Sequence, residues 1–185
     1  LKIFNIKEFK YDVFFAMSHG VGSGKLKKNK LDGREGILKK IKLEQDIEDN
    51  FHGYNGREPV WGQAFLDEIQ KSPMGINFNQ GEPVHLYSSD RISSYIGNGL
   101  CTFIQANRGM EEVYNDHEVV FFNDEDDLVS KIRFYKRNSD KRKEISINGW
   151  SKSHKYFNEK IVCDYIINKT FNEKINNHNW PEISF

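Results

Sequence analysis

Short apolar runs recur along this 185-residue chain, separated by stretches with helical spacing. Asp12-Val13-Phe14-Phe15-Ala16-Met17 ends in a polar, glycine-rich loop and has the continuous apolar pattern of a strand buried on both faces. Four more segments read as strands: Asn50-Phe51-His52 running into a glycine-rich turn, Met74-Gly75-Ile76-Asn77-Phe78, Leu100 to Ile104, and Glu118-Val119-Val120-Phe121-Phe122. Between them, Gly33 to Leu43 sets Ile37, Leu38, Ile41 and Leu43 near helical spacing. Trp61 to Ile69 puts Trp61, Phe65, Leu66 and Ile69 on one helical face. Ser88 to Gly99 predicts a third helix, with Ser88, Ser89 or Asp90 as N-cap, Ile92, Tyr95 and Ile96 facing inward, and glycine at its end. Gly109 to Tyr114 predicts a short helix, and Asp124-Glu125-Asp126-Asp127 opens another whose buried stripe is Leu128, Ile132 and Tyr135. Two closing helices are expected at Asp140–Asn148 and Asn158–Asn168.

Five strands separated by helices predict an α/β fold. It is a three-layer domain on a five-stranded parallel sheet with right-handed crossovers and additional C-terminal helices. Residues 11–171 form the domain on this reading. Residues 1–10 are a linker or the end of a preceding element, and 172–185 form a polar tail that straps back.

Charge narrows the partners. Lys plus Arg and Asp plus Glu both number 27, a formal net charge of zero. Nucleic acid is therefore not an expected partner, because backbone-phosphate binding draws on a basic excess. Cys101 and Cys163 lie in apolar runs without CxxC spacing and are expected to be buried, reduced thiols of a cytosolic protein. No apolar run approaches the roughly 20 residues needed to cross a bilayer. His52, His85, His117 and His154 show no ligand spacing, so no metal or cofactor is expected.

In parallel sheets, ligands sit beyond the carboxyl ends of the strands, and three loops there are candidates. The first, Ser18-His19-Gly20-Val21-Gly22-Ser23-Gly24-Lys25, offers backbone amides and the Lys25 charge to an anion. It is not a Walker A loop, since His19 stands where the first glycine belongs and Leu26 where Ser or Thr belongs. The second, Gly53-Tyr54-Asn55-Gly56-Arg57, suits an ordinary turn or the edge of a nucleobase. The third runs through Tyr87-Ser88-Ser89-Asp90-Arg91. Capping explains its serines and aspartate but not Arg91, a cation in a first turn where the dipole disfavours it by about 0.3–1 kcal/mol. An anion, from a ligand phosphate or a protein carboxylate, is expected to offset that cost.

Met74-Gly75-Ile76-Asn77, Tyr87-Ser88-Ser89-Asp90-Arg91-Ile92 and Gly97-Asn98-Gly99-Leu100 together resemble the C-terminal domain of GT-B glycosyltransferases, in the CgeB-like branch of the group 1 family. The likeness runs from about Tyr11 to Lys169 and includes Gly149 and, more loosely, His154. It implies a Rossmann-like domain binding a nucleotide-diphosphate sugar as substrate, without a metal. It also implies a glycan, lipid-linked or protein acceptor and a missing N-terminal GT-B domain that holds it. The setting implied is a bacterial enzyme of cell-surface polysaccharide synthesis, cytoplasmic and able to sit peripherally at the inner face of the membrane. On this resemblance Ser18, His19, Gly20, Lys25, Tyr87, Ser88, Ser89, Asp90 and Arg91 hold the diphosphate, with Lys25 and Arg91 stabilising the leaving group, and Gly53 and Tyr54 border the base. Ser94 stands where many group 1 enzymes carry a ribose-binding Glu. The competing class is a non-catalytic α/β binding or regulatory module. An epimerase or methyltransferase has less support, for want of a glycine fingerprint.

Overall fold

Continuous apolar runs at the first and third predicted strands place those segments in the middle of a sheet, covered on both sides. The structure, a computed structural model, describes residues 1–18, 26–27, 30–31, 33–78, 84–87 and 89–173. In chain order the elements are β1 (Val13–Ala16), β2 (Leu26–Lys27), β3 (Lys30–Leu31), α1 (Gly33–Leu43), β4 (Asp49–His52), α2 (Gly62–Ile69), β5 (Met74–Asn77), α3 (Arg91–Asn98), β6 (Cys101–Gln105), β7 (Val120–Phe122), α4 (Glu125–Arg137), α5 (Ser139–Tyr156) and α6 (Glu159–Thr170). Short 3₁₀ turns lie at Ile3–Asn5 and Met110–Glu112, the second where a short helix is predicted. The main sheet has five strands in the order β4-β1-β5-β6-β7. Every pairing in it is parallel. β2 and β3 form a small antiparallel hairpin within the stretch read from sequence as loop and basic run.

Alternation along β1 divides the core. Val13 and Phe15 join α1 and α4 on one face, with Leu38, Ile41, Leu128 and Ile132. Phe14 and Ala16 face α2 and α3 on the other, with Ile69 and Tyr95. A third cluster continues that second face under the outer strands, from Ile92 and Ile96 to Ile104, Met110 and Val119. Helices on both faces of a parallel sheet make the three-layer, Rossmann-like fold expected from the sequence.

The carboxyl-terminal helices depart from the sequence reading. The predicted Asp140–Asn148 helix continues unbroken to Tyr156. Gly149 does not interrupt it; a Cβ there would overlap the Glu118 carbonyl oxygen, so the glycine lets α5 press against the chain entering β7. That close approach brings His154 Nε2 to 3.0 Å from the Gly97 carbonyl at the end of α3. α6 has no buried residue. Cys163, on α6, is therefore exposed rather than buried as expected, while Cys101 is buried; both are free thiols. At the other end of the chain, Ile3 is 1% exposed and belongs to the α2–α3 core.

Candidate functional site

Strand order reverses at β1, whose neighbours are β4 and β5. On one side β1 pairs with β4 along its whole length, from Val13↔Asp49 to Ala16↔His52. On the other side the β1–β5 ladder stops at Phe14↔Gly75, so the two strands part toward their carboxyl ends. Carbonyls in such a crevice lose their ladder partners. α3 supplies replacements: Arg91 donates from one terminal nitrogen to the Phe78 carbonyl at 2.8 Å and from the other to the Ala16 carbonyl at 3.4 Å. The guanidinium also lies 4.9 Å from the centre of the Phe15 ring. One turn later, the Tyr95 hydroxyl accepts the Ala16 N–H at 3.4 Å.

In its first turn Arg91 is met by two strand-end carbonyls and an aromatic face, and the neighbouring Asp90 carboxylate also favours its charge. Burial lowers the guanidinium from its ordinary value; Tyr95 opposes that shift and Arg34 adds like-charge repulsion. Arg34, in the first turn of α1, is 7% exposed. Two arginines thus stand near one another at the carboxyl end of the sheet. The Arg91 Nε is buried and has no hydrogen-bond partner among the described residues.

Of the three predicted caps for α3, Ser88 lies outside the described residues. Asp90, the residue before its first turn, makes no side-chain cap hydrogen bond. The Ser89 hydroxyl donates to Asn77 Oδ1 at 2.7 Å, tying the helix start to the end of β5. Gly99 closes the other end as expected, with φ 84° in the left-handed region that favours glycine and Leu100 N–H donating to the Tyr95 carbonyl at 3.0 Å.

A cleft of about 320 Å³ opens above this junction. One wall carries Ser89, Asp90, Arg91 and Ser94, its floor is the end of β1 through Ser18, and the other wall is Val60, Trp61 and Phe65. Five of the residues read from the sequence therefore meet in one place: Ser18, Ser89, Asp90, Arg91 and Ser94. Others stand apart. Tyr87 lies in an adjoining crevice with Asn77, Phe78 and Arg108. Gly53 packs on the Met17 main chain, where a Cβ would overlap the carbonyl oxygen, and its φ of 72° demands glycine as well. Tyr54 packs against the core on the α1–α4 face, away from the cleft's lining. His19, Gly20, Lys25 and Ser88 lie outside the described residues.

Sequence reading missed two features here. Arg34 is hidden by the lysine-rich composition of α1. Helical spacing puts Trp61 on one face with Phe65, Leu66 and Ile69, yet it is 67% exposed. Behind it sits a polar cluster below the Gly53–Arg57 turn: His52 Nε2 is 3.1 Å from Asn50 Oδ1, 3.3 Å from an Arg57 nitrogen and 3.4 Å from Glu68 Oε2. Burial, with Arg57 adding to it, holds the His52 imidazole below its ordinary value. Among the described residues, no group of three or more His, Cys, Asp or Glu side chains is placed to hold a metal. Nor is any helix of the described residues long and apolar enough to cross a membrane.

The comparisons with known proteins agree with this architecture. The sucrose-phosphate synthase of Thermosynechococcus elongatus superposes with a TM-score of 0.50 at 12% identity, over 75% of this chain and 34% of that one. This chain thus spans about a third of the length of that structure, and the likeness is one of fold. No curated protein sequence matches. The model of the glycosyl transferase-like family matches residues 34–166, from Arg34 at the start of α1 through the fourth turn of the sheet to α6. A match over more than half of the chain assigns the protein: it belongs to the glycosyl transferase-like family.

Proposed function

We propose that this chain is the donor-binding domain of a metal-independent GT-B glycosyltransferase of the CgeB-like branch. It binds a nucleotide-diphosphate sugar, and a second domain presents a glycan, lipid-linked or protein acceptor. The observation that carries the reading is the cleft at the switch point, with the start of α3 and the Arg91 guanidinium on one wall. Helix N-termini and buried cations favour phosphate oxygens. During transfer the bond between the sugar C1 and the β-phosphate oxygen breaks, and its electron pair leaves with the diphosphate. The acceptor hydroxyl forms the new bond to C1 and gives its proton to a base held with the acceptor. Negative charge then grows on the departing diphosphate, where α3 amides, Arg91 and Arg34 oppose it. Lys25 and the loop from Ser18 serve the same charge on this reading, with Ser94 toward the ribose. The bacterial cell-surface and inner-membrane setting extends the same family likeness.

Thermal unfolding of the whole chain with UDP, GDP and ADP tests the reading. Ligand at a hundredfold excess over its Kd stabilises a protein by about 2.7 kcal/mol. One nucleoside diphosphate is expected to raise Tm by several degrees, while the chain alone transfers no sugar. No response to any of the three overturns donor binding; full transfer by the isolated chain overturns the two-domain arrangement. A binding module without catalysis is the second reading, and the engagement of Arg91 with two carbonyls favours it. It predicts the same fold with no response to nucleotides.

A further inference from the structure

We propose that Trp61 is the platform on which the donor's nucleobase stacks. The proposal rests on the donor-binding reading and adds to it the place of the base and the means by which it is held. Trp61 is a large apolar side chain at 67% exposure, at the lip of a cleft whose opposite wall is polar and carries the Arg91 guanidinium. Helical spacing from Phe65 and Ile69 puts it on the buried side of α2, but the core ends before reaching it. Phe65 already closes that face, stacked on Tyr95 with centroids 6.3 Å apart and 5.5 Å from Phe14 edge-on. Trp61 precedes the first turn in an extended conformation (φ −140°, ψ 164°), and Gly62 follows at φ 54°. This backbone turn carries the indole out at the carboxyl end of the sheet, beside Val60 and across from Ser89, Asp90 and Arg91.

The two walls differ in chemistry as the two ends of a nucleoside diphosphate do. One end is a flat ring with little charge, the other a polyanion. The wall with the α3 start and Arg91 suits the anion. Val60, Trp61 and Phe65 suit the ring, and about 320 Å³ lies at the lower end of the range for small-molecule pockets. Tyr54 does not compete for the role, because it is packed against the other face of the sheet. Stacking on an aromatic is tolerant of base identity, since every base has a π-face. Choice between UDP, GDP and ADP therefore comes from groups at the ring edge, not from Trp61.

Calorimetric titration of the wild type, Trp61→Phe and Trp61→Ala with UDP, GDP, ADP and inorganic pyrophosphate tests this. Trp61 is exposed, so both variants keep the fold, which circular dichroism checks. Trp61→Ala is expected to weaken the preferred nucleotide about tenfold, equivalent to about 1.4 kcal/mol, while Trp61→Phe keeps most of the affinity. Pyrophosphate, which has no base, is expected to bind all three proteins within twofold. Nucleotide affinity in Trp61→Ala within twofold of wild type overturns the stacking role and leaves donor binding standing. Equal loss of nucleotide and pyrophosphate overturns it too, since Trp61 would then act on the phosphate site. A wild type that binds neither overturns donor binding, and the proposal with it.

Discussion

α3 and α4 both begin at the carboxyl end of the sheet, and their first turns are built in opposite ways. α4 closes itself. The Asp124 side chain accepts the Asp127 N–H at 2.9 Å, and Glu125, Asp126 and Asp127 complement the positive end of its dipole. Asp127 also accepts the Asn123 N–H and pairs with Lys131, so that the turn is satisfied within one stretch of sequence. α3 is tied to the sheet instead. Asp90 makes no cap, Arg91 carries positive charge into a positive turn, and the guanidinium reaches back to carbonyls at Ala16 and Phe78. A helix start satisfied by its neighbours in sequence is structural. One joined to the sheet by distant partners lines the cleft with its side chains.

This contrast predicts how the two starts break. Arg91→Ala leaves two strand-end carbonyls without their donor and removes the tie across the β1–β5 crevice. At roughly 1–3 kcal/mol for each buried group left unpaired, a loss of about 2–6 kcal/mol is expected in urea unfolding. A loss below about 0.5 kcal/mol would show that the carbonyls are satisfied by water and that the crevice needs no clamp. Asp124→Ala removes one cap. The expected cost is about 1 kcal/mol, with nucleotide affinity unchanged because α4 does not line the cleft. A change in nucleotide affinity in that variant would erase the distinction between the two starts.

Acid separates the regions more gently. His52 is 5% exposed, and its folded pKa lies below the unfolded value of about 6.5. The unfolded chain therefore takes up a proton first, and stability is lost as pH falls from about 6.5 toward the folded value. Asp127 at α4 is also held below the carboxylate range. Its partial burial acts the other way, but Lys131 and the Asn123 N–H outweigh it. Its contribution persists through that first window and is lost only as pH drops through the acidic range of a carboxylate. Urea midpoints measured from pH 7.5 to 3 are expected to fall in two steps. His52→Gln removes the upper step alone; an unchanged upper step in that variant assigns it to another group.

How much of this was legible in the sequence depends on the range of the interactions involved. The five strands and the helix order follow from runs and spacings within single segments. The α4 cap was readable too, because donor and acceptor lie three residues apart. Gly99 is similar, since the left-handed end of a helix is a local demand. Arg91 stood out as a cation out of place, but its partners lie 13 and 75 residues away, and no local pattern carries them. The candidate site was found in part for the same reason. Ser89, Asp90, Arg91 and Ser94 share one helix start and stayed together, whereas Gly53 and Tyr54 belong to a turn on the other side of β1. The exposure of Trp61 was not legible, because helical spacing gives a residue's angular position and not where the core stops.

The sequence alone determined which segments are strands and helices, where α4 starts and where α3 ends. It also marked one arginine as needing an explanation. Those features depend on contacts between residues a few positions apart, and the chain carries both partners in one stretch. Only the tertiary structure decided that β1 lies between β4 and β5, that β1 and β5 separate beyond Phe14 and Gly75, and that Arg91 bridges the opening. It alone turned Trp61 out of the core. Strand order and the limits of burial arise from packing between distant segments, whose partners no local periodicity records.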